Sequence, residues 1–275
     1  VNEPAPAAPK PGGELRLRIV SALVLAAGIL AVTLWGGWPF RLVWVLVAGV
    51  VAYEWLSIIR CANAVAGAAA VVVAGLVLAL LPIAPPALAG VAALAALLGA
   101  IAAPIMSARL ALELCGVAYA LAFALVTPAL RDRPAIGLAL ILWSFAVVWL
   151  TDIAAYFTGR ALGGPKLMPS VSPKKTWSGA IGGTLAGVLA GCLVWIWLAP
   201  EHENPSLGLV AAASLLASVA SQAGDLYESA LKRRFGTKDS SGLIPGHGGF
   251  LDRLDGYWAV MVLAGLAFLA FSLVS

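Results

Sequence analysis

Charge is what this 275-residue sequence has least of. Asp, Glu, Lys and Arg make up 11% of it, against 62% hydrophobic residues, and the mean hydropathy is +0.98. A water-soluble domain is nearer half apolar and a quarter charged, so a soluble globular fold is excluded. The composition predicts an all-α fold, a polytopic bundle of membrane-spanning helices, because a helix satisfies its own backbone in lipid. Cysteine is scarce too. Cys61, Cys115 and Cys192 are an odd number without motif spacing, each in or beside an apolar segment. They read as small hydrophobes, which leaves out a disulfide scaffold and a thiolate metal site. The sequence also lacks an internal repeat and any Walker-type spacing.

What is there is a series of apolar runs. A span takes about 20 mostly apolar residues. Nine runs qualify, at 17–35, 40–59, 65–83, 86–104, 109–130, 136–158, 177–199, 206–232 and 253–274. Pro82, Pro85 and Pro86 divide the third from the fourth. Residues 1–14, rich in Pro, Ala and Gly, are expected to form a disordered tail. The run after Arg18 continues into Trp35, Gly36, Gly37 and Trp38 with no small-residue cleavage site, so it reads as a span and not a signal peptide. Five spans fill 15–135. Four more, with two polar loops, fill 136–275, the expected functional region.

Orientation follows from the basic residues. With the N-terminus in the cytoplasm, all of the 17 Lys and Arg except Arg41, Arg131 and Arg133 fall on the inner side. An odd span count puts the C-terminus outside. Loops 159–176 and 233–252 then share the cytoplasmic face and can build one site. Gly179, Gly183, Gly187 and Gly191 repeat at i, i+4 in the seventh run, a stripe that admits a close helix neighbour. Intramolecular packing is the expected use of it, with a homodimer seam as the alternative.

A carboxylate in hydrocarbon is costly and so marks a candidate site. Glu54, Glu113, Asp152, Asp225 and Glu228 lie in expected spans. Asp225 and Glu228 are i, i+3 and share a helix face. Asp252 and Asp255 repeat that spacing at the start of the ninth run. Together these carboxylates suit a hard cation with oxygen ligands. The plainer alternative for Asp252 and Asp255 is a helix N-terminus paired with Arg253 or Lys232. Glu54 and Glu113 have no such context and suit helix packing or an Arg partner.

The densest polar stretch is SALKRRFGTKDSSGLIPGHGGFLDRLD, residues 229–255. Lys232, Arg233 and Arg234 alone would be a juxtamembrane cluster for anionic headgroups. They are followed at once by Lys238, Asp239 and the turn at 245–249, whose Gly248 and Gly249 allow backbone N–H groups to approach an anion. His247 is kept as a phosphate donor. The loop 163–176 adds Lys166, Lys174, Lys175, Ser170, Ser172 and Thr176, a second phosphate cradle.

This stretch resembles the signature of the phosphatidate cytidylyltransferase family, also called CDP-diacylglycerol synthases. The positions that carry the likeness are Ser229, Leu231, Lys232, Arg233, Lys238, Asp239, Pro245, His247, Gly248, Gly249, Asp252, Arg253, Leu254 and Asp255. Asp152 with Tyr156, Gly159 and Arg160, the run SPKKTWSG at 172–179, and Ser221 to Asp225 are similar to the family's other polar segments. The likeness covers about the C-terminal half. It implies an integral enzyme of a bacterial-type inner membrane, facing the cytoplasm, which uses Mg2+ (with a second cation as an option). Its partners would be CTP, phosphatidate and the surrounding membrane lipids, and no nucleic acid. Asp225, Asp252 and Asp255 are assigned to the metal and, with Lys232, to catalysis. Substrate contacts are assigned to Asp152, Ser172, Lys174, Lys175, Arg233, Lys238, Asp239, His247, Gly248, Gly249 and Arg253.

Three other readings are weighed against this. A secondary transporter also buries carboxylates, but near the midplane between repeats. A CTP-dependent lipid kinase of the polyprenol kinase type also uses CTP, but it would release CDP where a cytidylyltransferase releases pyrophosphate. A CDP-alcohol phosphotransferase needs an Asp-Gly-x-x-Ala-Arg motif, whereas here Asp255 and Gly256 continue into Tyr257, Trp258, Ala259 and Val260.

Overall fold

Each apolar run folds as a helix. The computed structural model describes residues 11–80, 86–106, 108–199, 205–244 and 248–274. Its helices are α1 (Pro11–Trp35), α2 (Gly37–Ile58), α3 (Ala64–Leu80), α4 (Pro86–Ala102), α5 (Arg109–Arg131), α6 (Gly137–Leu162), α7 (Trp177–Leu198), α8 (Leu207–Arg234) and α9 (Leu251–Val274). The chain is an all-α membrane protein. Six of these helices, α2 and α5 to α9, are long and apolar enough to cross a bilayer, and α1, α3 and α4 hold shorter apolar stretches. A proline at the first helical position costs α1 no hydrogen bond, so α1 begins at Pro11, ahead of its apolar run. The rest of the expected tail, residues 1–10, lies outside the described residues, as does the Pro82–Pro85 turn.

One element departs from the all-helical expectation. Between α6 and α7 the chain makes an antiparallel hairpin of β1 (Lys166–Met168) and β2 (Ser172–Thr176), with Lys166 opposite Thr176 and Met168 opposite Ser172. Gly163 and Gly164, at φ 62° and 97°, end α6 in a conformation that other residues resist. The three prolines at 165, 169 and 173 keep the segment from continuing as helix. Thr176 closes the hairpin and starts α7, its Oγ1 accepting from Gly179 N at 3.1 Å.

The glycine stripe of α7 is filled from within the molecule. A Cβ at Gly183 would come within 2.6 Å of Thr151 O on α6, and one at Gly191 within 2.3 Å of Ser214 Oγ on α8. Cys61, Cys115 and Cys192 are free thiols. The core is an aromatic stack from α2, α5 and α9. Trp44 stacks on Tyr257 at 5.2 Å and on Phe123 at 5.8 Å, and Tyr119 on Trp258 at 4.0 Å.

Arginine contacts mark the two ends of the bundle. At one end Arg41 pairs with Asp132 at 2.7 Å and Arg131 Nε donates to Thr33 O at 2.9 Å. At the other, Arg109 pairs with Glu113 at 3.2 Å, and Glu113 also accepts from Cys61 Sγ at 3.1 Å. Arg234 reaches from the end of α8 to the carbonyls of Ala103 and Met106. This second end also carries the β hairpin and the loop between α8 and α9.

Candidate active site

A cavity of about 1190 Å³ opens at that second end. Its inner walls are apolar: Leu23, Ala26 and Ile29 of α1, Trp44 and Val47 of α2, and Phe145 and Trp149 of α6. Its other walls are charged. Asp152 comes from α6, Lys174 and Lys175 from β2, Asp225, Glu228 and Lys232 from α8, Asp239 from the loop, and Asp252, Arg253 and Asp255 from α9. Lys166, Arg160 and Gln222 also line it.

Small residues set the spacing of the carboxylates. A Cβ at Gly224 would lie 2.5 Å from Asp255 O, and one at Gly256 would lie 3.1 Å from Ser221 O. These two glycines let α8 and α9 meet backbone to backbone, which brings Asp225 beside Asp255. Asp152 of α6 lies within electrostatic reach of both. Asp255 is 9% exposed and its Oδ1 accepts from Gly256 N at 2.7 Å. Asp225 is held by an ion pair with Lys175.

Asp252 faces a different set of partners. Its Oδ1 takes Lys232 Nζ. Its Oδ2 accepts from Ser240 N at 2.9 Å, Ser240 Oγ at 2.8 Å and Gly249 N at 2.8 Å. The anion that the glycine turn meets is therefore this carboxylate. Gly248 is at φ 83°, and a Cβ on it would lie 2.7 Å from Asp252 Oδ2. Lys232 is shared. Its Nζ is also 2.6 Å from Glu228 Oε2, and Glu228 is 1% exposed, with Oε1 lacking a hydrogen-bond partner among the described residues.

The expected residues thus divide. Asp152, Lys174, Lys175, Asp225, Lys232, Asp239, Asp252, Arg253 and Asp255 share the cavity wall. Ser172, Arg233, Lys238, Gly248 and Gly249 do not. Arg233 is exposed and donates to Thr237 O at 3.2 Å, closing the turn after α8. Lys238 is exposed on the loop. His247 lies outside the described residues. Among the described residues no three Asp, Glu, His or Cys groups are already gathered around a common point as a metal cage. Lysines stand against two of the acids instead, Lys175 on Asp225 and Lys232 on Asp252. This is the plainer pairing weighed for Asp252.

Asp152, Asp225 and Asp255 stand within electrostatic reach of one another, with Lys175 paired to Asp225. Carboxylate oxygens are the donor type that a hard divalent cation takes. Two contributions escaped the sequence reading. Glu228 was grouped with Asp225 as a candidate for a cation, and it pairs instead with Lys232, one helical turn away. Glu54 was expected in helix packing or beside an Arg, and its partners lie far along the chain.

The architecture agrees with the comparisons to known proteins. The phosphatidate cytidylyltransferase of Brucella suis is 43% identical over 253 residues, 90% of this chain and 91% of its own length. That of Brucella abortus is 42% identical over the same 253 residues. The phosphatidate cytidylyltransferase of Staphylococcus saprophyticus is 42% identical over 130 residues, 47% of this chain and 49% of its own. Residues 16–271, which take in every wall of the cavity, match the Cytidylyltransferase family, and the chain belongs to that family.

Proposed function

We propose that this protein transfers a cytidylyl group from CTP to phosphatidate, giving CDP-diacylglycerol and pyrophosphate. The observation that carries this reading is a single cavity with a charged wall and an apolar wall. A triphosphate and a lipid phosphate suit the first, and acyl chains suit the second.

The lipid phosphate is the nucleophile. A phosphomonoester has a second pKa of about 6, so it is largely dianionic at neutral pH and needs no strong general base. One of its oxygens bonds to the α-phosphorus of CTP. The bond from that phosphorus to the β-phosphate bridging oxygen breaks, and pyrophosphate leaves with the electron pair. The barrier is the approach of two polyanions and the charge on the leaving group. Lys174, Lys175 and Lys232 supply positive charge on the wall for both. Asp225 and Asp255, with Asp152 beside them, are the residues that would hold Mg2+. Asp252 adds its Oδ1 only by giving up Lys232. When bound, the metal neutralises phosphoryl oxygens as a Lewis acid.

The same reading extends to the membrane. All nine helices would cross a bacterial-type inner membrane, with the N-terminus and the cavity mouth in the cytoplasm and residues 136–275 as the catalytic region. The bias of Lys and Arg supports this, as do the contacts that divide between two ends of the bundle. A 17-residue helix is about 26 Å long, close to the roughly 30 Å of a hydrocarbon core. Single cysteines at Leu243 and Leu207, with the three native cysteines replaced, test it. An impermeant thiol reagent outside intact cells should label Leu207→Cys and spare Leu243→Cys. Equal labelling would overturn the topology.

Chemistry is tested with purified protein, phosphatidate, magnesium and CTP labelled in either the α- or the γ-phosphate. The α label should enter the lipid and the γ label should leave as pyrophosphate. Transfer of the γ label to lipid would make the protein a kinase, and no transfer would exclude both.

A further inference from the structure

Glu54 is an acid for which the cytidylyl-transfer reading has no task. It sits in α2, far in sequence from the residues that carry the chemistry, and is 0% exposed. Burying a carboxyl group is costly unless hydrogen bonds replace its water. Among the described residues, its four hydrogen-bond donors come from one short segment. Glu54 Oε1 accepts from Ser241 Oγ at 2.5 Å and from Phe250 N at 3.0 Å. Its Oε2 accepts from Leu251 N at 2.7 Å and from Ser240 Oγ at 3.2 Å. Phe250 N and Leu251 N are at the start of α9, where backbone donors have no helical acceptor. Glu54 therefore ties down both ends of the loop 240–251.

The tie continues to the cavity. Ser240 Oγ lies 3.2 Å from Glu54 Oε2 and 2.8 Å from Asp252 Oδ2. Its one hydroxyl proton bridges the two carboxyl groups, donating to either. Gly249 fills the remaining gap. A Cβ there would stand 2.0 Å from Ser240 Oγ and 2.3 Å from Glu54 Oε1. Asp252 is thus oriented by Ser240 and by the backbone at Gly249, segments held from α2 through Glu54, and Asp255 follows one turn later on the same helix.

We infer that Glu54 is a positioning residue, acting through Ser240 and the loop 240–251 to fix Asp252 and the start of α9 at the cavity. Its role in turnover rests on the cytidylyl-transfer reading, and its role as a loop anchor does not. Glu54→Gln keeps the volume and puts an amide NH2, which cannot accept, where one oxygen stood. One pair of loop donors then loses its acceptor.

The test combines kinetics with hydrogen exchange, both in detergent micelles. Glu54→Gln should lower kcat by about 10- to 100-fold, the range for groups that orient a ligating carboxylate, with KM for CTP changed much less. Amides of 240–256 should exchange faster while α5 to α7 keep their protection. Glu54→Asp, which keeps both acceptors, should recover part of kcat. Unchanged kcat with unchanged exchange in 240–256 would overturn the inference. So would faster exchange spread evenly over the molecule, which is a role in general stability. Should Glu54→Gln not fold, Ser240→Ala cuts the bridge and keeps both backbone bonds to Glu54, and wild-type kcat and loop exchange in it would overturn the inference equally. If the wild-type protein makes no CDP-diacylglycerol, the functional reading falls, and the exchange measurement alone decides the anchor.

Discussion

The helices α1–α5 and α6–α9 use their polar residues differently. In α6–α9 the acids and lysines face a shared cavity and each other: Asp152, Asp225, Glu228, Lys232, Asp252 and Asp255. In α1–α5 the charged groups pair at the ends of the bundle, as Arg41 does with Asp132 and Arg109 with Glu113, and the middle is an aromatic and alanine core. Glu54 is the exception, because its partners belong to the other set. The difference shows that intramembrane charge alone does not mark a catalytic group. What the charge faces does. An acid facing other acids across a cavity is a candidate for the proposed cation, whereas an acid facing backbone N–H groups is a candidate to hold a loop.

The comparison is most exposed at the carboxylates. Asp225→Asn and Asp255→Asn should each lower kcat by about a thousandfold or more, since each removes charge from the donor set proposed for the metal. Assays of the purified variants across magnesium concentrations check this. Near-normal turnover in both would move the chemistry away from this wall.

Two neighbours in the motif give a sharper contrast. Lys232 is inside the cavity between Glu228 and Asp252, while Arg233 is exposed and bonds its own turn. Lys232→Ala should cost about a hundredfold in kcat, the scale of losing one fixed donor to developing charge. Arg233→Ala should cost far less. Equal losses would mean that sequence adjacency, not cavity position, decides the role.

The smallest effect belongs to the opposite end. Arg41 and Asp132 are each about a third exposed, and such a pair contributes less than about 1 kcal/mol. Arg41→Ala should leave kcat and both KM values unchanged and shift the thermal midpoint slightly. A large kinetic loss there would erase the distinction between the two ends.

The helices were legible because a series of long apolar runs leaves little choice of fold in lipid. The signature from Ser229 to Asp255 was legible because its polar residues stand out against an apolar background. The β hairpin was not, since β1 and β2 are 3 and 5 residues long and carry no alternating pattern. Partner choice was the harder matter. Asp252 and Asp255 look alike in sequence, and only the approach of Gly249 and Lys232 to one, and of Gly224 and Gly256 to the other, separates them. Glu54 was flagged as a buried acid, but its donors lie 186 to 197 residues away, beyond any local pattern.

The central claim is that one cavity serves two chemistries, nucleotide at the charged wall and acyl chains at the apolar wall. Ala26 of α1 is on the apolar wall and far from the charged residues in sequence. Steady-state kinetics of Ala26→Trp, with phosphatidates of long and short acyl chains, test that claim most directly. KM for the long-chain lipid should rise several-fold, with KM for CTP and for the short-chain lipid close to wild type. Equal changes for both lipids, or a change in KM for CTP alone, would contradict a divided cavity.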